Sequence, residues 1–499
     1  MKYNPGQQRV EAIYSKVQNP LHQGNPLIEA LPESKSKETL AAGLRMEIPF
    51  SEEQLQYPPE VRADLVGALN HYFAPWELHL ALAQEIRSAI CDGYVNRNPL
   101  EKAFQESIRQ VRAAVQERDA EFHSCTFSRN NPISSSFSII GYSGMGKSSS
   151  VRNILAQIPQ VIRHGTYRGE PFAETQVVWL NIECPHDGSV KGLCHAFLEE
   201  FDHLTHGNTA GNTALKYGMG TRATTNQMIA QTAMLARRYH LGVLVIDEIQ
   251  DISVAKGKTQ QEIIQFLIQL VNSIQIPIIL IGTPPAVQVL QSDTKLGGRF
   301  PIKCYFDLLR EEQVEWKILC KSLMGHQWTA NRTQLTKELA HEIYVASCGV
   351  TATAVMMVIK AQREAIRWGG EERITPQLIR ELADMPDFRL FRQKMAAIQN
   401  MDMAMQISGD CATLGWNRSM KQLDVKDVLP CRNTQDSIIS NGQDQQKAED
   451  ALQPVIDEKT PQLKKRKPRL EKKKKETIED GYQKLKEEGY IANLDEDLA

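Results

Sequence analysis

The stretch Gly141-Tyr142-Ser143-Gly144-Met145-Gly146-Lys147-Ser148 has the form G-x-x-x-x-G-K-S and directly follows the apolar run Phe137-Ser138-Ile139-Ile140. A strand, a glycine-rich loop and a helix in that order are built to bind phosphate. The glycines at 141, 144 and 146 let backbone N–H groups turn toward an anion. Lys147 reaches the β- and γ-phosphates, and the Ser148 hydroxyl ligates Mg²⁺. The following helix is expected from Ser149 to Gln157. Gly141, Tyr142, Ser143, Gly144, Met145, Gly146, Lys147, Ser148 and Ser149 are therefore the candidate nucleotide-binding residues, and ATP and Mg²⁺ the ligands they imply. The opposing reading is a glycine-rich turn without a ligand.

A hundred residues on, Leu241-Gly242-Val243-Leu244-Val245-Ile246-Asp247-Glu248 is a continuous apolar run ending in two acids. Such a run suits the middle of a parallel sheet covered by helices on both faces. Its C-terminal end is where open α/β sheets bind ligands. Asp247 is expected to hold the Mg²⁺ shell with Ser148, and Glu248 to polarise a water in line with the γ-phosphate. A glutamate there favours hydrolysis over binding alone.

The bulk properties set limits. A chain of 499 residues has room for two or three domains and a large core, and 41% hydrophobic residues is ordinary for a globular protein. No apolar run reaches the ~20 residues that span a bilayer, and the first residues lack the apolar core of a signal peptide. A cytoplasmic protein with no membrane partner is expected. Nine scattered cysteines without a C-x-x-C fit reduced thiols. The net charge of −2 conceals an uneven spread: residues 464–475 hold nine Lys/Arg and one acid, and the rest carries 49 basic and 59 acidic residues. DNA binding by the body must then use local patches and not its overall field.

Along the chain, the strands read as 137–140, 176–182, 242–247, 276–281 and 302–306. Helical patterns between them imply an α/β fold, a five-stranded parallel sheet between helices. The fourth strand ends Ile281-Gly282-Thr283-Pro284. Thr283 either contacts the γ-phosphate or the attacking water, or caps a helix before Pro284, or does both. Helical patterns at 311–324, 333–347, 351–368 and 375–384 suggest a small helical lid. The expected organisation is an extended N-terminal arm or docking segment at 1–60, then a nucleotide-binding core with a helical extension at 61–308. The lid follows at 309–405, and a linker, basic run and flexible partner-binding tail occupy 406–499. The apolar cluster Asn25-Pro26-Leu27-Ile28-Glu29-Ala30-Leu31-Pro32 either docks on a partner or packs on its own domain.

Arg299, in Leu296-Gly297-Gly298-Arg299-Phe300, lies between the fourth and fifth strands, an edge that faces the next subunit in ring-forming ATPases. There it would stabilise transition-state charge in a neighbour's site; the alternative is a surface arginine in a glycine-rich loop. Lys191, Lys216 and Arg222 lie between the second and third strands. They are the candidate DNA contacts, to phosphates and not bases, against the alternative of solvated charge.

Together the phosphate loop, the LVIDEIQ strand and the IGTP turn resemble an AAA+ P-loop ATPase. More closely, the chain resembles TnsC, the regulatory ATPase of bacterial cut-and-paste transposons with a heteromeric transposase. The resemblance runs from about 25 to 385 and includes NPLIEALP at 25–32, GYVNRNP at 93–99, IECPHDGSVKGLC at 182–194 and VIDEIQ at 245–250. It implies a homo-oligomeric ring or filament on double-stranded DNA that links a target-selector protein to transposase subunits, with ATP hydrolysis controlling assembly. It also implies that Gly146, Lys147 and Ser148 bind phosphate, that Asp247 and Glu248 serve Mg²⁺ and water, that Thr283 is the sensor and Arg299 the intersubunit arginine, and that Lys191 lies near DNA. One departure stands out. Cys348-Gly349-Val350-Thr351-Ala352-Thr353 carries no arginine where many AAA+ lids sense the γ-phosphate, which leaves open how the lid is coupled to hydrolysis. Two other readings remain: a nucleotide-gated protein scaffold, and an AAA+ helper in replication loading or phage defence.

Overall fold

The computed structural model describes residues 8–407 apart from 103, 107–108, 110–134, 207–223, 255–262, 264, 268–275 and 292–293. The expected tail at 406–499, with its basic run, lies outside the described residues almost entirely, as do Lys216 and Arg222.

Ten strands occur among the described residues: β1 Arg9–Glu11, β2 Phe137–Gly141, β3 Val161–Arg163, β4 Thr166–Tyr167, β5 Glu170–Pro171, β6 Thr175–Val177, β7 Trp179–Glu183, β8 Val243–Asp247, β9 Ile278–Gly282 and β10 Ile302–Phe306. Five of them form the central sheet in the order β10-β2-β9-β8-β7, and every pair in it is parallel. Successive side chains along a strand point to opposite faces. Ile139, Val243, Val245, Ile279 and Ile281 accordingly join one apolar cluster, and Ile140, Leu244, Ile246, Ile278 and Leu280 join the other. Both faces are covered, which is why these strands read as unbroken apolar runs. The helices Val190–His206 and Thr225–Arg238 contribute to the second cluster.

The run 176–182 was expected as one strand and is two. Thr175–Val177 pairs antiparallel with β3 in a three-stranded sheet completed by β1, and Trp179–Glu183 pairs with β8. The chain changes sheets at Val178, whose N–H donates to the Gln160 carbonyl at 2.7 Å. Hydrophobic periodicity does not register such a switch, because Val177, Val178, Trp179 and Leu180 run apolar straight across it.

Of the two readings of 25–32, the structure shows packing on its own domain and not an extended arm. Leu27, Ile28 and Leu31 are buried in the first cluster. Asn25 accepts the Leu27 N–H at 3.0 Å and donates to the Tyr94 carbonyl at 2.8 Å. The buried Glu29 carboxylate accepts from the Tyr167 hydroxyl at 2.8 Å and from Arg168 at 3.0 Å. The 93–99 segment is scaffold as well. Arg97 is fully enclosed and donates to the carbonyls of Gly93 at 2.7 Å and Leu241 at 2.6 Å. The Tyr94 hydroxyl donates to the His240 carbonyl at 2.8 Å. Together they hold the entry to β8, the strand that delivers Asp247.

The lid helices are Val314–Gly325, Lys337–Ser347, Thr351–Trp368 and Pro376–Ala383. They share the first cluster with the helix Glu77–Val95 and with Leu44, Val66 and Leu69. Arg62 ties the N-terminal part to the lid through a buried bidentate pair with Glu372 at 2.5 and 2.9 Å and a bond to the Trp328 carbonyl at 2.7 Å. No single helix among the described residues is long and apolar enough to cross a membrane.

Two predictions follow from the packing. Arg62→Ala strands Glu372 without its charged partner and should cost about 3–5 kcal/mol in denaturant unfolding. An unchanged midpoint would show that the pair is not a tie. Burial pulls His79, which accepts the Trp76 N–H, down to about 4. It does the same to His164, set between Tyr14 and Gln176. The unfolded chain titrates near 6.5, so between those values the folded state binds fewer protons and loses stability as pH falls. By pH 5 each histidine should cost about 1–2 kcal/mol. A flat profile from pH 7 to 5 would contradict this.

Candidate nucleotide-binding site

The C-terminal ends of the parallel strands gather the candidate residues on one edge of the sheet. Gly141 ends β2, Gly282 ends the neighbouring β9, Asp247 ends β8 beyond it, and Glu183 ends β7 in register with Asp247. The phosphate loop, the two acids and the Thr283 turn therefore follow directly from strand order, as expected for ligand sites in open α/β sheets.

The loop is shaped by close approaches. At Gly141 a Cβ would lie 2.3 Å from the Phe306 carbonyl oxygen, and that same oxygen accepts the Tyr142 N–H at 3.1 Å. Gly144 and Gly146 have φ of +80° and +84°, which turn the loop into the helix Lys147–Leu155. Lys147 is buried, and its ammonium donates to the Tyr142 carbonyl at 2.8 Å. Burial pushes its pKa below the ordinary value, while Glu248 and Asp247 act in the opposite sense. A desolvated lysine in a glycine cradle facing two acids fits a phosphate chain bridged by a divalent cation. Ser148 and Asp247 are the residues present to hold Mg²⁺.

The acids sit in a strained turn. Asp247 is nearly buried, and its Oδ1 accepts the Glu248 N–H at 2.9 Å. Glu248 has a left-handed backbone with φ of 58°, a conformation that a non-glycine residue adopts at a cost. The Gln250 amide donates to the Glu248 carboxylate and accepts the Thr283 N–H at 3.1 Å. Thr283 also opens the turn into Ala286–Gln291, its carbonyl accepting the Ala286 N–H at 2.8 Å. Glu248 and Thr283 are thus brought together by a residue that spacing does not reveal, although it lies within the quoted VIDEIQ run.

The first turn of Thr351–Trp368 lies against the phosphate loop. The Thr351 hydroxyl and the Ala352 N–H both donate to the Gly144 carbonyl, at 2.7 and 3.0 Å. A Cβ on Gly144 would meet Val350 at 2.9 Å. Where many lids place an arginine, this one touches the loop through a hydroxyl and the backbone.

Arg299 ends the helix Thr294–Arg299, just before β10 begins. It is therefore at the opposite end of the strands from the phosphate loop of its own chain. Lys191 is half-buried in the first turn of Val190–His206, on the loop side of the sheet. In the same region His186 pairs with Asp251 at 2.7 Å, joining the 182–194 segment to the turn after Glu248.

Residues 134–290 match the family model described as AAA domain. No curated protein matches the chain. Similar solved structures include the ORC1 protein of Aeropyrum pernix in complex with DNA, at 14% identity over 59% of this chain and 67% of that one, with a TM-score of 0.37. They also include a Walker-type ATPase of Pyrococcus abyssi, at 11% identity over 60% of this chain and 75% of that one, with a TM-score of 0.34. The matched residues hold the phosphate loop, the two acids and Thr283, within an α/β fold whose five-stranded parallel sheet is covered by helices as in AAA+ P-loop NTPases.

Lys147→Ala should reduce ATP affinity at least about tenfold by removing the charged hydrogen bond to the phosphates. Gly144→Ala, strained at positive φ and crowded by Val350, should weaken binding as well. Equilibrium titration with a fluorescent ATP analogue measures both, and wild-type affinity in either variant would contradict the loop assignment.

Proposed function

We propose that this protein is an ATP-hydrolysing regulator of DNA transposition that assembles on double-stranded DNA and couples a target selector to the transposase. The observation that carries the oligomeric part is the division of the site. Loop, acids and Thr283 share one edge of the sheet, whereas Arg299 lies at the far end of β10, so any part it plays at an ATP site would be at a neighbour's. The transposition part rests on the TnsC-like segments at 25–32, 93–99, 182–194 and 245–250.

In this reading Lys147 and the loop N–H groups hold the β- and γ-phosphates of ATP. Mg²⁺, held by Ser148 and Asp247, neutralises charge on the phosphate oxygens when bound. Glu248 orients and polarises the attacking water, Thr283 senses the γ-phosphate, and Arg299 of an adjacent subunit stabilises transition-state charge. ATP bound between subunits favours assembly. Assembly multiplies weak phosphate contacts, with Lys191, Lys216 and Arg222 the proposed sources, and creates a DNA affinity that no single subunit has. The lid contact to Gly144 supports a coupling in which loop geometry sets lid position.

Sedimentation of the full chain with double-stranded DNA and a non-hydrolysable ATP analogue tests assembly: large nucleotide-dependent complexes are expected, and a protein that stays monomeric refutes the proposal. Glu248→Gln should bind ATP normally and hydrolyse it about 10²-fold more slowly or worse. Unchanged turnover in that variant would remove Glu248 from its role.

A further inference from the structure

We infer that Gln250 is a positioning residue that locks the Glu248 carboxylate to the Thr283 turn, so that the water-activating acid and the phosphate-sensing turn are set as one unit. This rests on the reading of Glu248 as the group that activates water.

The amide joins partners of opposite polarity. Its Nε2 donates to Glu248 Oε2 and its Oε1 accepts the Thr283 N–H at 3.1 Å. The partners fix its orientation, because a flipped amide would set oxygen against carboxylate and NH₂ against N–H. The local backbone is built for this bridge. Asp247 holds the Glu248 N–H, and the left-handed Glu248 turns the chain so that the Asp251 N–H returns to the Glu248 carbonyl at 3.0 Å. Ile249 is fully buried and donates to the Ile281 carbonyl at 3.0 Å, anchoring the turn against β9. Gln250 is thereby carried over Gly282. A Cβ there would lie 2.6 Å from Ile249, 2.8 Å from Ala286 and 3.3 Å from Gln250 Oε1, so the glycine leaves the room the amide occupies.

The bridge matters because the Glu248 side chain is exposed, and an exposed carboxylate samples several rotamers unless a partner holds it. One donor on Oε2 holds the carboxylate while leaving Oε1 to accept a proton from water. Misplacing a reacting group by about 1 Å costs on the order of 10²-fold in rate. The bond to the Thr283 N–H passes any shift of the β9 turn to the acid. Asparagine is one methylene too short to reach both partners.

The test is single-turnover ATP hydrolysis by the full-length protein on double-stranded DNA, for Gln250→Met and Gln250→Glu, with Gln250→Met also made in a Glu248→Gln background. Nucleotide affinity and melting temperature are measured alongside. Gln250→Met should lose about tenfold or more in rate with affinity and melting unchanged. Gln250→Glu, which keeps the acceptor for Thr283 but sets carboxylate against carboxylate, should lose more. In the Glu248→Gln background Gln250→Met should add no further loss, since the group it positions is gone. Wild-type rates in Gln250→Met, or the same fractional loss in both backgrounds, overturn the inference while a stalled Glu248→Gln leaves the role of Glu248 intact. Wild-type turnover in Glu248→Gln itself overturns both.

Discussion

The phosphate loop is held between the end of one strand and the start of one lid helix, and the rest of the site depends on that contact. On one side the Phe306 carbonyl takes the Tyr142 N–H and sits where a Cβ of Gly141 would be. On the other side the Gly144 carbonyl receives two hydrogen bonds from Thr351 and Ala352. The two sides are themselves joined. Three residues beyond Phe306, the Leu309 N–H donates to the Gly349 carbonyl at 3.1 Å, and a Cβ on Gly349 would lie 2.0 Å from the Leu309 carbonyl oxygen. Only glycine fits there, at φ of +72°. Strand, loop and lid therefore form a closed chain of contacts, made without a dedicated arginine.

The N-terminal part adds a second restraint. Arg62 and Glu372 join it to the lid in a buried pair that also bonds the Trp328 carbonyl and the Ala330 N–H, while Tyr94 and Arg97 join it to the entry of β8. The helix Pro59–Leu65 thus braces the lid, and the end of the helix Glu77–Val95 braces β8. The polar residues of the 25–32 and 93–99 segments serve the same end: Asn25, Glu29, Tyr94 and Arg97 tie buried parts of the chain together. In the proposed function the chemistry rests instead on residues 141–148, 247–250 and 283, with Arg299 of a neighbour.

Much of this was legible beforehand, for a physical reason. A strand buried on both faces must be apolar throughout, and a phosphate loop must place its glycines and lysine at fixed spacing, so β2, β8, Asp247, Glu248 and Thr283 could be placed from residue type alone. What stayed hidden depends on contacts between distant segments. The sheet switch at Val178 leaves no periodic signal. The burial of Leu27 and Ile28 could not be told from a docking surface, because apolar residues between prolines serve either purpose. Gln250 was in plain view within VIDEIQ, yet its contacts to Glu248 and Thr283 need the left-handed turn at Glu248 and the space over Gly282. The lid contact runs through a hydroxyl and a backbone N–H, groups with no distinctive residue pattern.

The central claim is that each site is completed by a neighbour, and mixing inactive variants tests it most directly. Arg299→Ala and Glu248→Gln proteins are assembled together on DNA with ATP. Each alone should hydrolyse slowly, but in an equal mixture roughly a quarter of the interfaces should join an intact Glu248 to an intact Arg299 in a head-to-tail assembly. Hydrolysis should therefore rise well above that of either protein. A mixture no more active than the mean of its two components would contradict a shared site.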